Sequence, residues 1–421
     1  MKLKLKKTYI LVVLLSTVIN SCVEEVGVAP ELEATAAVSE ILVVDARLTD
    51  ELKNHEVELS RIFPLESEDP IFERGAQVRI TDSDGASYSF NETEPGTYLS
   101  ELAFAAQQGK TYRLEINTSD GKRYLSNNVA VPNPVPVGEV RAERITNDLG
   151  EEGVGIFLDN SSTADTPTFF RYEYEETYKI VAPGWNPFRL RVVRYEPCFP
   201  DPFVVDVIPW EDERRTCFGS TVSNRLIQAS TADLEGNSID NFQLHFISRD
   251  NYIISHRYSM NIVQYAQTSD AYSFYERLGS FSSSDNLFSQ IQPGFIEGNI
   301  SLESNSEEVA LGYFEVSSVS KSRMYFNYED LFPGEELPPY AISCESLGNP
   351  RLWPRAYHCA SEGVCDGNCQ SPLIEQLLAE RLVYATEKEN DPLSPYFTLP
   401  SPCGDCTKLG SNVVPEFWTE E

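Results

Sequence analysis

Gly75-Ala76-Gln77-Val78-Arg79-Ile80 is followed by Asp82-Ser83-Asp84-Gly85 and then by Tyr88-Ser89-Phe90. Apolar side chains recur at every second position on both sides of an Asp-Gly turn. A period of two is that of a half-buried strand, because successive side chains point to opposite faces. Asp-Gly between two such runs is hairpin chemistry. The acids could be half of a calcium loop, but their spacing fails the EF-hand pattern, so the reading is a turn.

The same grammar extends outward. Pro95-Gly96-Thr97-Tyr98 opens another strand, and Gly109-Lys110-Thr111-Tyr112-Arg113-Leu114-Glu115-Ile116 alternates again. Ser119-Asp120-Gly121 is a second turn, leading into Arg123-Tyr124-Leu125-Ser126. Upstream, Ile41-Leu42-Val43-Val44 is a buried-strand run, and Val57 and Leu59 alternate with glutamates. Short alternating strands with regular turns predict a β-sandwich over 40–131. The block resembles transthyretin-like or immunoglobulin-like modules, a likeness that implies a fold and no chemistry.

Pro132, Pro134 and Pro136 break the pattern and read as a stiff connector. A larger β-rich domain with a few helices is expected over 139–330, from runs such as Phe169 to Tyr174, Phe242 to Ile247 and Leu311 to Val316. Within it, 180–225 is irregular and contains Trp185, several prolines and two cysteines, so it reads as a stapled excursion. Ser269 to Leu278 predicts a helix, with Ala271, Phe274, Tyr275 and Leu278 on one 3.6-period face. The rest, 331–421, is a disulfide-rich, proline-rich C-terminal region packed on the second domain. Its one clear helix is expected from Pro372 to about Lys388, with Ile374, Leu377, Leu378, Arg381 and Leu382 in register. The aromatic pair Phe417-Trp418 is expected to dock on the body.

The N-terminus reads as a signal. Lys2, Lys4, Lys6 and Lys7 precede the apolar run Tyr9 to Ile19, which is shorter than the roughly 20 residues of a membrane-spanning helix. Ile19-Asn20-Ser21-Cys22 resembles the bacterial lipobox, so 1–21 is expected to be removed and Cys22 to carry palmitate-type acyl chains. Residues 22–39 then form a tether. Val23-Glu24-Glu25 resembles the export signal that Bacteroidota-type lipoproteins use to reach the exterior face of the outer membrane.

The chain has 421 residues and a formal charge of −32. Subtracting the four signal lysines, where no acid occurs, gives −36 for residues 22–421. Such acidity repels phosphate backbones and excludes nucleic acid as a partner class. Tyr and Phe (21 and 22) far outnumber Met (3), which favours strands. Eight cysteines follow Cys22: Cys198, Cys217, Cys344, Cys359, Cys365, Cys369, Cys403 and Cys406. An even number in an exported chain predicts disulfides. Cys198 and Cys217 stand apart from the others and are expected to pair; the remaining six leave the connectivity open. Two rival readings are a zinc knuckle from Cys365-x3-Cys369 and Cys403-x2-Cys406, helped by His358, and a redox pair at Cys403-Gly-Asp-Cys406. Disulfides are preferred, so no metal and no cofactor is expected. The four histidines are His55, His245, His256 and His358, and His245 and His256 lie in strand patterns where a structural role is expected. No His-Glu-x-x-His, no Gly-x-Ser-x-Gly and no phosphate loop is present, so no catalytic residue is assigned.

Taken in order, Cys22 with its acids, Gly75-Ala76-x-Val78, Gly96-Thr97-Tyr98 and Ser269-Asp270-Ala271-Tyr272-x-Phe274-Tyr275 form a spread-out signature. It continues with Gln292-Pro293-Gly294, Gly298-Asn299-Ile300, Leu311-Gly312-Tyr313-Phe314, Cys403-Gly404-Asp405-Cys406 and Pro415-Glu416-Phe417-Trp418. The chain resembles the Bacteroidota outer-membrane lipoproteins catalogued as a domain of unknown function and often encoded beside TonB-dependent receptors. That resemblance implies an outer-membrane location and a receptor as partner, with no catalytic residues. The expectation is a non-catalytic accessory or ligand-binding partner of a TonB-dependent nutrient transporter. A structural or adhesive surface protein is the alternative, and a secreted hydrolase comes third.

Overall fold

The computed structural model describes residues 41–62, 71–161, 168–197, 203–232, 234, 238–282, 296–353 and 369–420. The signal, Cys22 and the tether lie outside these residues. Nine strands come first: β1 (Leu42–Thr49), β2 (Glu56–Arg61), β3 (Ile71–Phe72), β4 (Gln77–Asp82), β5 (Ser87–Glu94), β6 (Thr97–Ser100), β7 (Thr111–Asn117), β8 (Arg123–Ser126) and β9 (Val129–Ala130). Then follow β10 (Val140–Thr146), β11 (Glu152–Ser161), β12 (Phe169–Val181), β13 (Phe188–Tyr195), β14 (Phe203–Pro209), β15 (Thr216–Val222), β16 (Ile227–Ser230), β17 (Ser238–Ser248) and β18 (Arg257–Gln267). Helix α1 (Ser269–Ser282) precedes β19 (Glu297–Leu302), the long β20 (Asn305–Asn327) and the single turn α2 (Tyr328–Leu331). The chain finishes through α3 (Pro372–Leu378), β21 (Leu382–Glu387), β22 (Tyr396–Pro400) and α4 (Ser401–Gly404).

The hairpin read from Ala76 to Phe90 forms as expected. Val78 pairs with Phe90 and Ile80 with Tyr88, with Val78, Ile80 and Phe90 buried. Its turn is closed by its own hydrogen bonds. The Asp82 carboxylate accepts from the Asp84 and Ala86 amides at 3.0 and 2.9 Å, and the Lys110 ammonium sits 2.7 Å away. That hydrogen bond from Lys110 holds the Asp82 carboxyl below the usual range.

The expected N-terminal sandwich is corrected to a barrel. Its strands run β1-β2-β6-β5-β4-β7-β8-β19-β20, and β20 returns to β1 in parallel register from Val43↔Leu311 to Thr49↔Ser317. The ring has nine strands, two of them supplied from beyond residue 131. Inward residues of these strands, such as Leu42, Val44, Val57, Val78, Ile80, Tyr112, Leu114, Ile300 and Phe314, fill the interior as one core. Alternation is the same in a sandwich and a filled barrel, so the local pattern could not distinguish them.

Several signature motifs turn out to be closure devices. Gly312 has φ +106°, and a Cβ there would lie 1.8 Å from the Val44 carbonyl oxygen. A Cβ on Gly298 would lie 1.8 Å from the Gly312 oxygen. Only glycine permits both the backbone angle and the approach. Between them, the Asn299 side-chain amide donates to the Phe314 carbonyl at 2.9 Å and accepts from its amide at 2.8 Å, standing in for a strand partner where the β19–β20 register shifts. In the same way Tyr98 joins two motifs. Its hydroxyl accepts from the Ala76 amide at 3.0 Å and donates to the Glu73 carbonyl at 2.8 Å.

The second half is the true two-layer unit. The distal part of β20 pairs with β18, which pairs with β12, which pairs with β15. The separate sheet β10-β11-β17 packs on it, with Ile156, Leu158, Leu244 and Ile247 meeting Phe170, Tyr172, Ile262 and Met324 in one core. Beneath α1, on the opposite face of β12, lies a buried ionic cluster. Arg171 reaches Glu315 at 3.2 Å, Gln267 donates to the same carboxylate at 2.9 Å, and the Tyr265 ring lies 4.2 Å from the guanidinium. Arg47 of β1 reaches Glu173 at 3.2 Å, so the cluster ties barrel to sandwich.

Helix α1 matches its expected face at Ala271 and Phe274, both buried, while Leu278 stays exposed. The second expected helix is corrected. It starts as read, with Ser371 as N-cap accepting from the Ile374 amide and Pro372 in the first turn. It ends at Leu378, and Glu380 turns the chain with φ +52°, so Leu382 begins a strand paired with β22. The 180–225 excursion is more regular than its prolines suggest. Among the described residues the β13–β14 hairpin departs, and β15 returns to pair with β12. Phe417 and Trp418 dock as expected: Trp418 stacks edge-on against Phe218 at 4.9 Å, and Arg323 lies 3.5 Å from the Phe417 ring centroid.

His55 provides a pH test of the barrel. It is buried beside Phe104, with Nε2 2.9 Å from the Phe104 carbonyl and no partner for Nδ1 among the described residues. Nε2 therefore carries the proton, and burial pushes the imidazole pKa down to about 4. Between pH 6.5 and 4 the unfolded chain binds the proton more readily than the folded one, so stability falls through that window as pH drops. Holding the imidazole pKa down to about 4 in the folded chain corresponds to roughly 3 kcal/mol in full. Urea midpoints at pH 7 and pH 4.5 should show His55→Gln losing less stability than the native chain, by roughly 2–3 kcal/mol. Equal losses would contradict a neutral buried His55.

Candidate functional site: a disulfide-clamped cleft

Two distant segments build the cleft. The β13–β14 hairpin forms one wall and the C-terminal α3–β21–β22 region the other. Leu190 of β13 packs with Leu373 and Tyr384 in a small core of its own. The Gly184 amide donates to the Cys403 carbonyl at 2.8 Å, tying the root of the hairpin to the opposite wall.

Disulfides anchor the C-terminal wall. Cys217 bonds Cys406 across 189 residues, and Cys344 bonds Cys403 across 59. The expected Cys198–Cys217 pair is thereby corrected, because β15 carries Cys217 away from the hairpin to the edge where the C-terminal segment docks. There Phe218 and Ser411 exchange backbone hydrogen bonds at 2.8 and 2.9 Å. The zinc and redox readings of Cys403 and Cys406 fall for the same reason: each sulfur is bonded to a different distant partner. Cys369 is also disulfide-bonded. Since the other four described cysteines are paired, its partner lies outside the described residues, as do Cys198, Cys359, Cys365 and His358.

The cleft has a volume of about 400 Å³. Its charged lining is Arg189, Arg191, Arg214, Lys408, Glu380 and Asp405. Trp210 is the organising side chain, with the Arg214 guanidinium 5.0 Å and the Arg189 guanidinium 5.4 Å from its ring centroid. Arg214 is held by Asp212 at 2.9 Å, by Asp405 at 3.2 Å and by the Thr407 hydroxyl at 2.7 Å. Its hydrogen bond keeps the Asp212 carboxyl below the usual range. Leu377, Leu378 and Leu382 supply an apolar side. Of the cleft's charged residues, only Asp405 stands in a motif read from sequence, Cys403-Gly404-Asp405-Cys406. The available signal was Arg189-x-Arg191-x-x-Arg194, a cationic run on an alternating strand in a strongly acidic chain.

The other polar constellation is Glu176 with His245. Tyr258 donates to Glu176 at 2.5 Å, His245 Nε2 lies 3.4 Å from the same oxygen, and the Tyr174 hydroxyl is 2.9 Å from Nδ1. Both ring nitrogens are occupied, and burial pushes the Tyr258 phenol well up. The set links β12, β17 and β18. Among the described residues no group of three His, Cys, Asp or Glu is arranged to hold a metal, and no helix is long and apolar enough to cross a membrane.

The fold defines a mainly β protein, a nine-stranded barrel fused to a two-layer β unit and stapled by disulfides. Its sequence matches the family described as Domain of unknown function (DUF4249) over residues 27–323, and the chain belongs to that family. The match takes in the barrel and the β13–β14 wall but stops before the C-terminal wall. No curated protein matches. Among solved structures, the chain is similar to a DUF4785 family protein from Legionella pneumophila subsp. pneumophila str. Philadelphia 1 at 10% identity. That similarity covers 53% of this chain and 52% of that one, with a TM-score of 0.19, too slight to bear on function.

Proposed function

We propose that this chain is a surface-exposed, lipid-anchored outer-membrane protein of the Bacteroidota type, serving a TonB-dependent nutrient transporter as a non-catalytic binding partner. The observation that carries this reading is the cleft. Two walls from distant parts of the sequence meet through Leu190, Leu373 and Tyr384, disulfides anchor the C-terminal wall, and the Arg189 and Arg214 guanidinium groups lie by the Trp210 ring. Rigid, preorganised walls lower the entropic cost of binding. An anchor at Cys22 would confine the body to the membrane plane, where even a modest contact with a receptor gains from effective concentration.

The location half of the proposal has a direct test. Cells grown with labelled palmitate should incorporate it into the native chain and not into Cys22→Ala, and protease added to intact cells should cut the native protein. Equal labelling of both chains would remove the anchor, and protection in intact cells with cutting after lysis would place the body inside.

A further inference from the structure

Of the four cations lining the cleft, three are already neutralised. Arg191 pairs with Asp206 at 3.0 Å, Arg214 with Asp212 and Asp405, and Lys408 with Glu380. Arg189 differs. Its guanidinium hydrogen-bonds to no carboxylate among the described residues; it lies 5.4 Å from the Trp210 ring centroid, and the Asp212 carboxylate, already bound by Arg214, is near enough to feel its charge. It is half-buried, so its fork of donors is partly shielded from water without a fixed acceptor. The cleft also carries an apolar surface, with Leu378 58% exposed. Leu377 and Leu382 continue that surface.

We propose that the cleft binds a small amphiphilic organic carboxylate, its acid group on Arg189 and its apolar body along Leu377, Leu378 and Leu382. This deepens the binding reading above and rests on it. The chemistry follows from the lining. A guanidinium matches a carboxylate through two parallel hydrogen bonds, and an ion pair half shielded from water is stronger than an exposed one. Leucine side chains reward an apolar body, which a free sugar or an inorganic anion lacks. The volume, about 400 Å³, admits a molecule of dipeptide size. In so acidic a chain, carboxylates are repelled over most of the surface, so a guanidinium whose hydrogen-bond donors are taken by no carboxylate favours an acid at this site.

The test uses the full mature chain and follows the indole N–H resonance of Trp210, assigned with Trp210→Phe. Titration with 4-phenylbutyrate should shift this signal, and 4-phenylbutyramide should bind at least about tenfold more weakly. Arg189→Ala should weaken 4-phenylbutyrate by about tenfold or more with an unchanged melting temperature, Arg189→Lys should recover part of the loss, and Leu378→Ser should weaken it severalfold. N-acetyl-glycyl-phenylalanine is the second probe. If it binds better, a peptide C-terminus is the natural chemistry; if worse, a simple organic acid is, and both results sustain the proposal. Equal binding of acid and amide, or no effect of Arg189→Ala, overturns it. Receptor co-purification is read in parallel. A retained receptor without any Trp210 shift removes this proposal alone, whereas a clear shift without a receptor removes only the accessory role.

Discussion

Gly312→Ala should unfold the barrel at its seam. The new Cβ would meet the Val44 carbonyl oxygen at 1.8 Å, on a residue with φ +106°. The obstructing atom is backbone in the paired β1, so it cannot rotate aside. Backbone strain alone costs 1–3 kcal/mol, and separation of β20 from β1 adds to it, so a loss of roughly 3–5 kcal/mol is expected. Gly85→Ala is the control. It has φ +87° but nothing within 4 Å of the new Cβ, so strain alone, about 1–2 kcal/mol, should appear. Urea unfolding of the two variants separates the effects. Equal, small losses would mean that β20 does not close the barrel against β1.

Removing Cys217–Cys406 should be the other large loss. The bond closes 189 residues and holds the C-terminal strap on β15. Chain-entropy reasoning gives about 5 kcal/mol for that loop and about 4 for the 59-residue loop of Cys344–Cys403, with measured losses usually at 2–5. The double variant Cys217→Ser, Cys406→Ser should therefore lose more stability than Cys344→Ser, Cys403→Ser, and should gain protease cleavage near 406–411. Peptide mapping without reduction should recover 217 linked to 406 and 344 to 403. A peptide linking 198 to 217 would contradict the structure.

What could be read from sequence was local. Ala76, Val78 and Ile80 declare a strand and Asp84-Gly85 a turn, because both signals depend on residues within reach of one another. What could not be read was long-range. Nothing near Leu42 says that its strand will lie beside Leu311, since parallel pairing across the chain leaves no local trace. Hence a block that alternates like a sandwich closed as a barrel. The same holds for Cys217, whose nearest cysteine in sequence is not its partner, since β15 carries it to a different edge. The overlong helix has a different cause. Leu382 keeps the 3.6 period, and no glycine marks the stop; Glu380 makes the left-handed turn instead. At the cleft, Arg189 and Arg191 were visible as a run, but the meeting of Arg189 with Trp210 depends on a hairpin whose ends carry no local signal.

This closure also shapes how function is tested. Deleting 42–130 would strip β19 and β20 of barrel partners and expose their edges, so loss of a partner in such a variant would report unfolding. Point changes in the cleft leave the barrel intact. The most direct measurement is quantitative mass spectrometry of native-tagged protein drawn from outer membranes in mild detergent, with Cys22→Ala as control. An accessory role predicts one TonB-dependent receptor enriched far above background with the native chain and lost with Cys22→Ala. No receptor above background, together with unchanged growth of the deletion strain across nutrients, would contradict that role and leave a structural or adhesive surface protein in its place.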